Sequence, residues 1–481
     1  MQEQITTQDF ENIIEEKLDD NQLQANLHSA MSTLKAKRKD LLKLRFSDWE
    51  GLRTRGQAVK QKSLEKLDLM LEKFEQNATK NGIKVHWAST PAECNEIIYE
   101  LAKTRNVSEI LKGKSMASEE VHLNKFLKEK GVRAVETDLG ELIIQLIDET
   151  PVHIVVPAIH KNRNEIGEIF SQKLGVPLET EPEKLNQIAR THLRKEFKSF
   201  KMGLTGVNFA IADEGAIWLI ENEGNGRMSS TACDVHVAIC GIEKVVESFE
   251  DASILNTLLA PSAVGGMITC YNNIITSPRK EGEKDGPGEV HIILLDNNRS
   301  NMLKNPDFIQ SLECIRCGTC LNHCPVYEKI GGHAYISTYP GPIGEVISPH
   351  LFGIDSVGYV TNLCTLCGRC SEVCPVKIPL AELIRKLRSE KVKQGTGQVL
   401  GYTKLKEKKL EKFAMNGYVS AATSPLKWKS ILFFARNFGF LGKIFHPLMP
   451  VLNKWTKFRT FPPIDATLHA RVKNIQGVVY E

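Results

Sequence analysis

Residues 314–325 read "CIRCGTCLNHCP", and residues 364–375 repeat the same cysteine spacing as "CTLCGRCSEVCP". Each copy sets four cysteines in the order C-x2-C-x2-C-x3-C and closes on a proline. In such a run three closely spaced thiolates suit three irons of one 4Fe-4S cube, while the fourth cysteine reaches the neighbouring cube. The spacing therefore predicts two clusters with exchanged fourth ligands. Cys314, Cys317, Cys320 and Cys374 serve one, and Cys364, Cys367, Cys370 and Cys324 the other. Gly318 and Gly368 are expected at positive φ where the loop bends around the cube. Pro325 and Pro375 fix the chain direction after each fourth cysteine. Structural zinc also uses four cysteines, but as two CxxC pairs rather than three thiols within seven residues. The C-x3-C-x2-C order of a site-differentiated radical-enzyme cluster is absent, and each tetrad offers a full set of four ligands. Electron carriage is expected, not Lewis-acid chemistry.

Around these tetrads lies ordinary globular sequence. The chain has 481 residues, 42% hydrophobic and 25% charged, enough for about three domains with a real core. A net charge of +4 is close to balance and argues against a nucleic-acid binder. The distribution is uneven, because residues 401–481 carry 14 Lys and Arg against 4 Asp and Glu, leaving the rest net acidic. The four remaining cysteines, Cys94, Cys233, Cys240 and Cys270, are scattered through apolar stretches, as in a reducing compartment. The start, "MQEQITTQDFENIIEEKLDD", has no apolar core of a secretory signal and is not a transit peptide. A cytoplasmic location is expected.

Residues 1–82 read as helices, the last a long one in which Leu64, Leu67, Leu71 and Phe74 recur at helical spacing before Gly82. From 83 the pattern alternates. "IKVHWAS", "VSEILKG", "VRAVETD" and "HIVVPAI" read as strands, each followed by a helical stretch, the first capped by Thr90 with Pro91 in its opening turn. Such alternation predicts a mostly parallel sheet covered on both faces. "VNFAIADEGAIWLIEN" reads as a hairpin turning at Asp213, Glu214 and Gly215, and "DVHVAICG", "GGMITCYNNIITS" and "EVHIILLDNN" as further strands. The predicted organisation is an N-terminal helical segment (1–82), an α/β domain (83–300), a separate α-helical two-cluster segment (301–395) and a basic helical tail (396–481). In the tail, "SILFFARNFGFLGKIFHPLMPVL" is too interrupted by Arg436, Lys443, His446, Pro447 and Pro450 to span a bilayer. Its basic residues interleave with Trp428, Phe433, Phe434, Phe438, Phe440 and Trp455, which suits a partner or peripheral contact with an acidic membrane surface. Nucleotide motifs are not legible: "GTGQVLG" (395–401) has its last glycine one residue late and follows a basic helix, and "SEILKGKS" (108–115) has Ser108 where a phosphate loop begins with glycine.

The 39 residues between Cys324 and Cys364 exceed the spacer of small two-cluster ferredoxins, and "AELIRKLRSEKVKQG" after Pro379 is helical in pattern. This segment resembles the helical ferredoxin domains of multi-subunit dehydrogenases. With "KSMASEE" (114–120), "ETDLGELIIQL" (136–146), "NEGNGRM" (222–228), "DGPGEVHIILLDNNRS" (285–300) and "GGHAYISTYPGPIG" (331–344), the chain from about 25 to about 390 resembles the lactate utilization protein B family. The resemblance implies a Rossmann-like lactate-utilization domain, similar to the sugar-phosphate-isomerase and CoA-transferase fold group, joined to a two-cluster ferredoxin domain. It also implies oxidation of L-lactate to pyruvate together with two partner subunits, allowing growth on lactate. The chain departs from the family pattern at "STACDVHVAICG", where Cys233, Asp234 and Val235 stand in place of a Pro and a Thr before the His. A second reading makes the chain a non-catalytic electron-transfer protein whose α/β domain is a docking or sensing module.

For a small 2-hydroxy acid, several residues offer suitable chemistry. Lys114 and Ser115 lie between a strand and a helix expected to be capped by Ser118, where a carboxylate meets an ammonium and a helix N-terminus; a loop charge and a local cap is the plainer reading. Glu136 and Asp138 follow a strand's C-terminal end, where open sheets bind ligands, although Asp138 equally suits capping the next helix. Asn222, Asn225 and Arg227 sit on a Gly-rich loop suited to an anion, or on a plain turn. His160 is a base near the same edge, or a scaffold histidine. No catalytic residue and no hydride-accepting cofactor site is legible, so substrate oxidation is expected to need the partners.

Overall fold

The computed structural model describes residues 7–392 and 409–445. Residues 395–401, the "GTGQVLG" stretch, and the tail beyond 445 lie outside the described residues. The chain divides into two units, 1–405 and 406–481.

In the first unit, four helices (Thr7–Asp19, Asn21–Arg45, Trp49–Glu65 and Leu67–Lys80) precede the first strand. The expected long helix ending at Gly82 is broken at Lys66, which has left the helical region at ψ 29. Six strands then form an all-parallel sheet: β1 (Lys84–Ala88), β2 (Glu109–Lys112), β3 (Arg133–Glu136), β4 (Met202–Gly206), β7 (Val235–Gly241) and β10 (Glu289–Leu295), in the order β1-β10-β7-β4-β2-β3. A smaller sheet, ordered β8-β5-β6-β9, contains β5 (Phe209–Ile211), β6 (Ala216–Glu221), β8 (Val245–Val246) and β9 (Tyr271–Ile275). The 213–215 turn joins antiparallel β5 and β6 as the pattern predicts, pairing Phe209 with Trp218.

The central strands read as continuous apolar runs because both of their faces are covered. On β10, Val290, Ile292 and Leu294 enter one core with Phe74 and Leu255, while Ile293 and Leu295 enter another with Ile98 and Leu127. Thr90 caps the helix Pro91–Thr104 as expected, its hydroxyl accepting from the Glu93 amide at 3.2 Å.

One expectation fails. "HIVVPAI" makes no strand; residues 150–160 form an irregular strap. Pro157 removes a ladder donor, and partners for the strap come from within it and from the cysteine-bearing region. The Tyr327 hydroxyl donates to the Val152 carbonyl at 2.6 Å, and the His153 ring meets Asn322 Oδ1 at 3.1 Å. The approach is close at Gly332, where a β-carbon would stand 2.0 Å from the Val152 carbonyl oxygen. The cysteine region packs against the rest of this unit, for Leu27 and Met31 of the second helix, Val290 and Ile292 of the sheet, and Cys317, Cys320 and Tyr327 share one apolar core.

A buried ion network completes this joint. Arg299, following β10, donates two 2.8 Å bonds to Glu120 and one of 2.5 Å to Glu243. The Tyr339 hydroxyl donates to Glu120 at 2.6 Å, and Arg316 donates to Glu243 at 3.2 Å. Burial alone would raise the Glu243 carboxyl, but the guanidiniums of Arg299 and Arg316 bring it down to about 2. Among the described residues no helix is long and apolar enough to cross a membrane.

Removing one member of such a network strands a buried charge. Glu120→Ala is expected to cost about 3–5 kcal/mol of stability, read as a lower midpoint in anaerobic urea unfolding. An unchanged midpoint would mean that Arg299 finds another partner.

Candidate functional site

A cavity of about 530 Å³ opens at the C-terminal edge of the parallel sheet. Open α/β sheets bind ligands at this edge because the loops leaving successive strands diverge there and expose backbone donors and side chains. Lys114 and Ser115 enter the wall after β2, Asp138 after β3, Gly206 at the end of β4, and Glu243 and Lys244 after β7. The opposite wall includes Val155 and Val156 of the strap and Arg316, Cys317 and Tyr339 of the cysteine region. A small-molecule cavity and a cluster-type cysteine thus share one enclosure.

Of the substrate residues expected from sequence, Lys114, Ser115, Asp138, Asn222 and Asn225 line this cavity. The Lys114 ammonium donates to the Val155 carbonyl and lies 3.9 Å from Asp138. Ser115, not Ser118, is the helix cap: its hydroxyl oxygen accepts from the Ser118 amide at 3.1 Å, because the helix Met116–Glu120 starts one turn earlier than the pattern suggests. Asp138 caps its helix while facing the cavity, accepting from the Gly140 and Glu141 amides. Asn225 is buried, and its amide nitrogen has no partner among the described residues.

Three expected residues stand elsewhere. Glu136 is buried against the Lys112 ammonium at 2.5 Å and the Asn124 amide at 2.7 Å, away from the cavity wall. Arg227 is exposed and lies over the Tyr271 ring, 5.9 Å from its centroid; its turn belongs to a helix whose opening amides are taken by Glu221. His160 packs behind the strap, its Nε2 2.7 Å from Glu149.

The structure supplies cations that the sequence reading missed. Arg316, between two cysteines of the first tetrad, is buried to a side-chain exposure of 10%, and its Nη1 lacks a partner among the described residues. Lys244 stands in the same wall, and burial followed by the Arg316 charge pushes its ammonium down to about 8. Both were open to inference: Lys244 follows a strand's C-terminal end just as Asp138 does, and Arg316 is a charge inside a thiolate loop.

Cys314, Cys317, Cys320 and Cys374 line one small cavity. The electrostatic neighbours of Cys370 are Cys364, Cys324 and Cys367. Gly318 and Gly368 stand at φ +73 and +79. Arg316 and Leu366, equivalent positions in the two loops, also take positive φ, and their amides donate to the Cys314 and Cys364 sulfurs at 3.4 and 3.2 Å. Amides aimed at sulfur from a bent loop, around thiols with no disulfide among them, suit thiolate ligation of an iron-sulfur cluster. Arg53 of the N-terminal helices donates to the Cys374 carbonyl at 2.9 and 2.7 Å, and Arg38 to the Val373 carbonyl at 3.3 Å. The first set is largely buried, whereas in the second Cys367 is exposed.

At the cavity rim the Glu223 carboxyl accepts from the Leu139 amide at 3.0 Å. Although much of the residue is exposed, the surroundings of its carboxyl, then the Asp138 charge, push it up to about 7 from an ordinary 4.5. The folded chain therefore binds this proton more tightly than the unfolded chain, and the stability it contributes is lost as pH rises from about 4.5 to about 7. Glu223→Gln is expected to raise the thermal midpoint relative to the parent at pH 8 but not at pH 4. Equal differences at both would contradict the shift.

Known protein families match three stretches of the chain. Residues 71–295 match the LUD domain, 310–378 the 4Fe-4S dicluster domain, and 386–478 the C-terminal domain of lactate utilisation protein B. Lactate utilization protein B of Bacillus licheniformis is 40% identical, over 95% of this chain and 94% of its own. That of Bacillus subtilis is 39% identical with the same coverage. An Escherichia coli protein described as an uncharacterized electron transport protein, YkgF, is 38% identical over 88% of this chain and 86% of its own. Identity at this level along almost the full length, with the cysteine loops and the sheet domain in one chain, shows that the chain belongs to the lactate utilization protein B family.

Proposed function

We infer that this chain is a cytoplasmic iron-sulfur electron-transfer subunit in the oxidation of L-lactate to pyruvate, working with two partner subunits. Family membership supports the role in lactate utilization, and the dicluster match supports the iron-sulfur chemistry. One observation carries the finer reading: Cys317 and Arg316 stand in the wall of the cavity at the sheet edge. On this reading residues 83–300 form the substrate domain, of the sugar-phosphate-isomerase and CoA-transferase fold group, and 301–395 the two-cluster domain.

Cys314, Cys317, Cys320 and Cys374 would hold one 4Fe-4S cluster, and Cys364, Cys367, Cys370 and Cys324 the other. Clusters so held supply single-electron transfer. The remaining chemistry falls to the chain's own side chains. A substrate carboxylate entering the cavity meets the Lys244 ammonium and the unpaired Nη1 of Arg316, and its charge restores a full proton to Lys244. The free Asn225 amide and Lys114 orient the hydroxyl end. Glu223, held near neutrality, accepts a proton from that hydroxyl. Oxidising a 2-hydroxy acid also requires a two-electron acceptor, which the partners provide.

In the second unit the helices Lys409–Ala422 and Pro425–Phe445 expose Phe413, Tyr418, Leu426 and Phe433. Interleaved with lysines, these form the surface that engages a partner or an anionic membrane. Deleting 421–481 is expected to leave iron content unchanged while weakening partner co-purification or binding to anionic liposomes; retention of both would make the tail structural.

The central test is anaerobic purification with the partners, followed by lactate-dependent bleaching of cluster absorbance. About eight irons per chain are expected from two cubes, and Cys374→Ser should perturb the cluster held by Cys314, Cys317 and Cys320. Tightly bound zinc in place of iron, or perturbation of the other cluster only, would overturn the ligand assignment. Lys244→Ala and Lys114→Ala should each weaken lactate by about 1.5–3 kcal/mol, the size of a charge-assisted contact, with iron retained. Arg227→Ala should not. Unchanged affinity in both lysine variants would move the substrate site elsewhere.

A further inference from the structure

Outside the cavity lining, Glu149, His160 and His333 each offer one possible ligand atom, and these atoms lie within 4.8 Å of one another. The three come from distant parts of the chain. Glu149 and His160 bracket the strap, and His333 belongs to the "GGHAYIS" stretch of the cysteine region. His160 is 7% exposed, and its Nδ1 is buried with no partner among the described residues. The ring of His333 stands edge-on to it with centroids 5.1 Å apart. His333 Nε2 lies 2.8 Å from the Thr150 carbonyl. Donation to that carbonyl fixes the tautomer and leaves Nδ1 as a lone pair, the outer-shell arrangement found behind metal-ligating histidines. The Lys161 ammonium sits 3.1 Å from the second oxygen of Glu149, so a positive charge is already drawn to this point.

We propose that Glu149, His160 and His333 form a binding site for a first-row divalent cation such as Zn²⁺, tying the strap to the cysteine region. Two imidazoles and a carboxylate suit zinc and its neighbours rather than magnesium or calcium. Ligand bonds of about 2.0–2.2 Å bring three donors about 3–3.5 Å apart, a closure that ring rotation supplies. The cation takes over the role of Lys161, which turns to solvent. The site clamps the two ends of a strap whose Val155 and Val156 line the cavity and whose His153 packs against Gly318 of the first cysteine loop. It is separate from the cysteine ligands and does not depend on the reaction assigned to the cavity.

The test uses the full chain, purified anaerobically with its iron in place, incubated with Zn²⁺ alone, gel-filtered and analysed for zinc and iron. About one zinc per chain above the level of the His333→Ala variant is expected, with iron equal in both. Glu149→Gln should weaken zinc binding by roughly tenfold or more, and Lys161→Gln should strengthen it by removing the competing charge. Should His160→Ala, the most buried of the three, fail to fold, the half-buried His333 and Glu149 variants still decide the matter. No zinc retained by the iron-loaded parent, or equal zinc in parent and His333→Ala, would overturn the site.

Discussion

The guanidinium of Arg299 is the interaction on which the arrangement of this molecule turns. A fully buried cation is tolerable only if its fork is satisfied, and Glu120, ending the helix Met116–Glu120, and Glu243, in the 3-10 turn Ile242–Lys244 after β7, do this from two different segments. Because both carboxylates are shared, the network reaches further. Tyr339 closes on Glu120 and Arg316 on Glu243, so two points of the cysteine region are held to the sheet by groups that cannot be left unpaired. Apolar contact could join these parts in many registers, since it is non-directional. The ion network selects one of them, and that one puts Cys317 in the cavity wall.

The two cysteine loops are near copies in backbone and unlike in setting. Both bend at paired positive-φ positions, Arg316 with Gly318 and Leu366 with Gly368, and both return an amide to the first sulfur of the tetrad. The first loop is enclosed by the sheet domain, the strap and the N-terminal helices. The second reaches the surface through Cys367 and Leu366. A repeated motif has thus been given an inner and an outer member by what packs around it. The N-terminal helices, chemically silent as sequence, contribute through Arg38 and Arg53, which donate to backbone carbonyls beside Cys374 and hold the segment that carries a cysteine from one tetrad to the other's cavity.

The cavity combines unequal charges along its length. Toward the cysteine loop stand Lys244 and Arg316, the latter with an unpartnered Nη1 among the described residues; toward the rim stand Asp138 and Glu223, where burial and then the Asp138 charge raise the Glu223 carboxyl.

By itself the sequence determined whatever depends on local spacing. The 213–215 hairpin, the Thr90 cap, the positive φ of Gly318 and Gly368 and most of the strand and helix alternation, "HIVVPAI" apart, follow from residue type and near neighbours, and the structure has them. Cys374 lines one small cavity with Cys314, Cys317 and Cys320. Only the tertiary structure decided which polar residues share the cavity. Glu136 ends β3 and Asp138 follows two positions on, yet a buried lysine claims the first while the second keeps its place in the wall. "HIVVPAI" has the composition of a strand but is held as a strap by Tyr327 and Asn322, and Arg316 meets a carboxylate 73 residues earlier in the chain. Such pairings join groups far apart in sequence, and local pattern holds no record of distance through space.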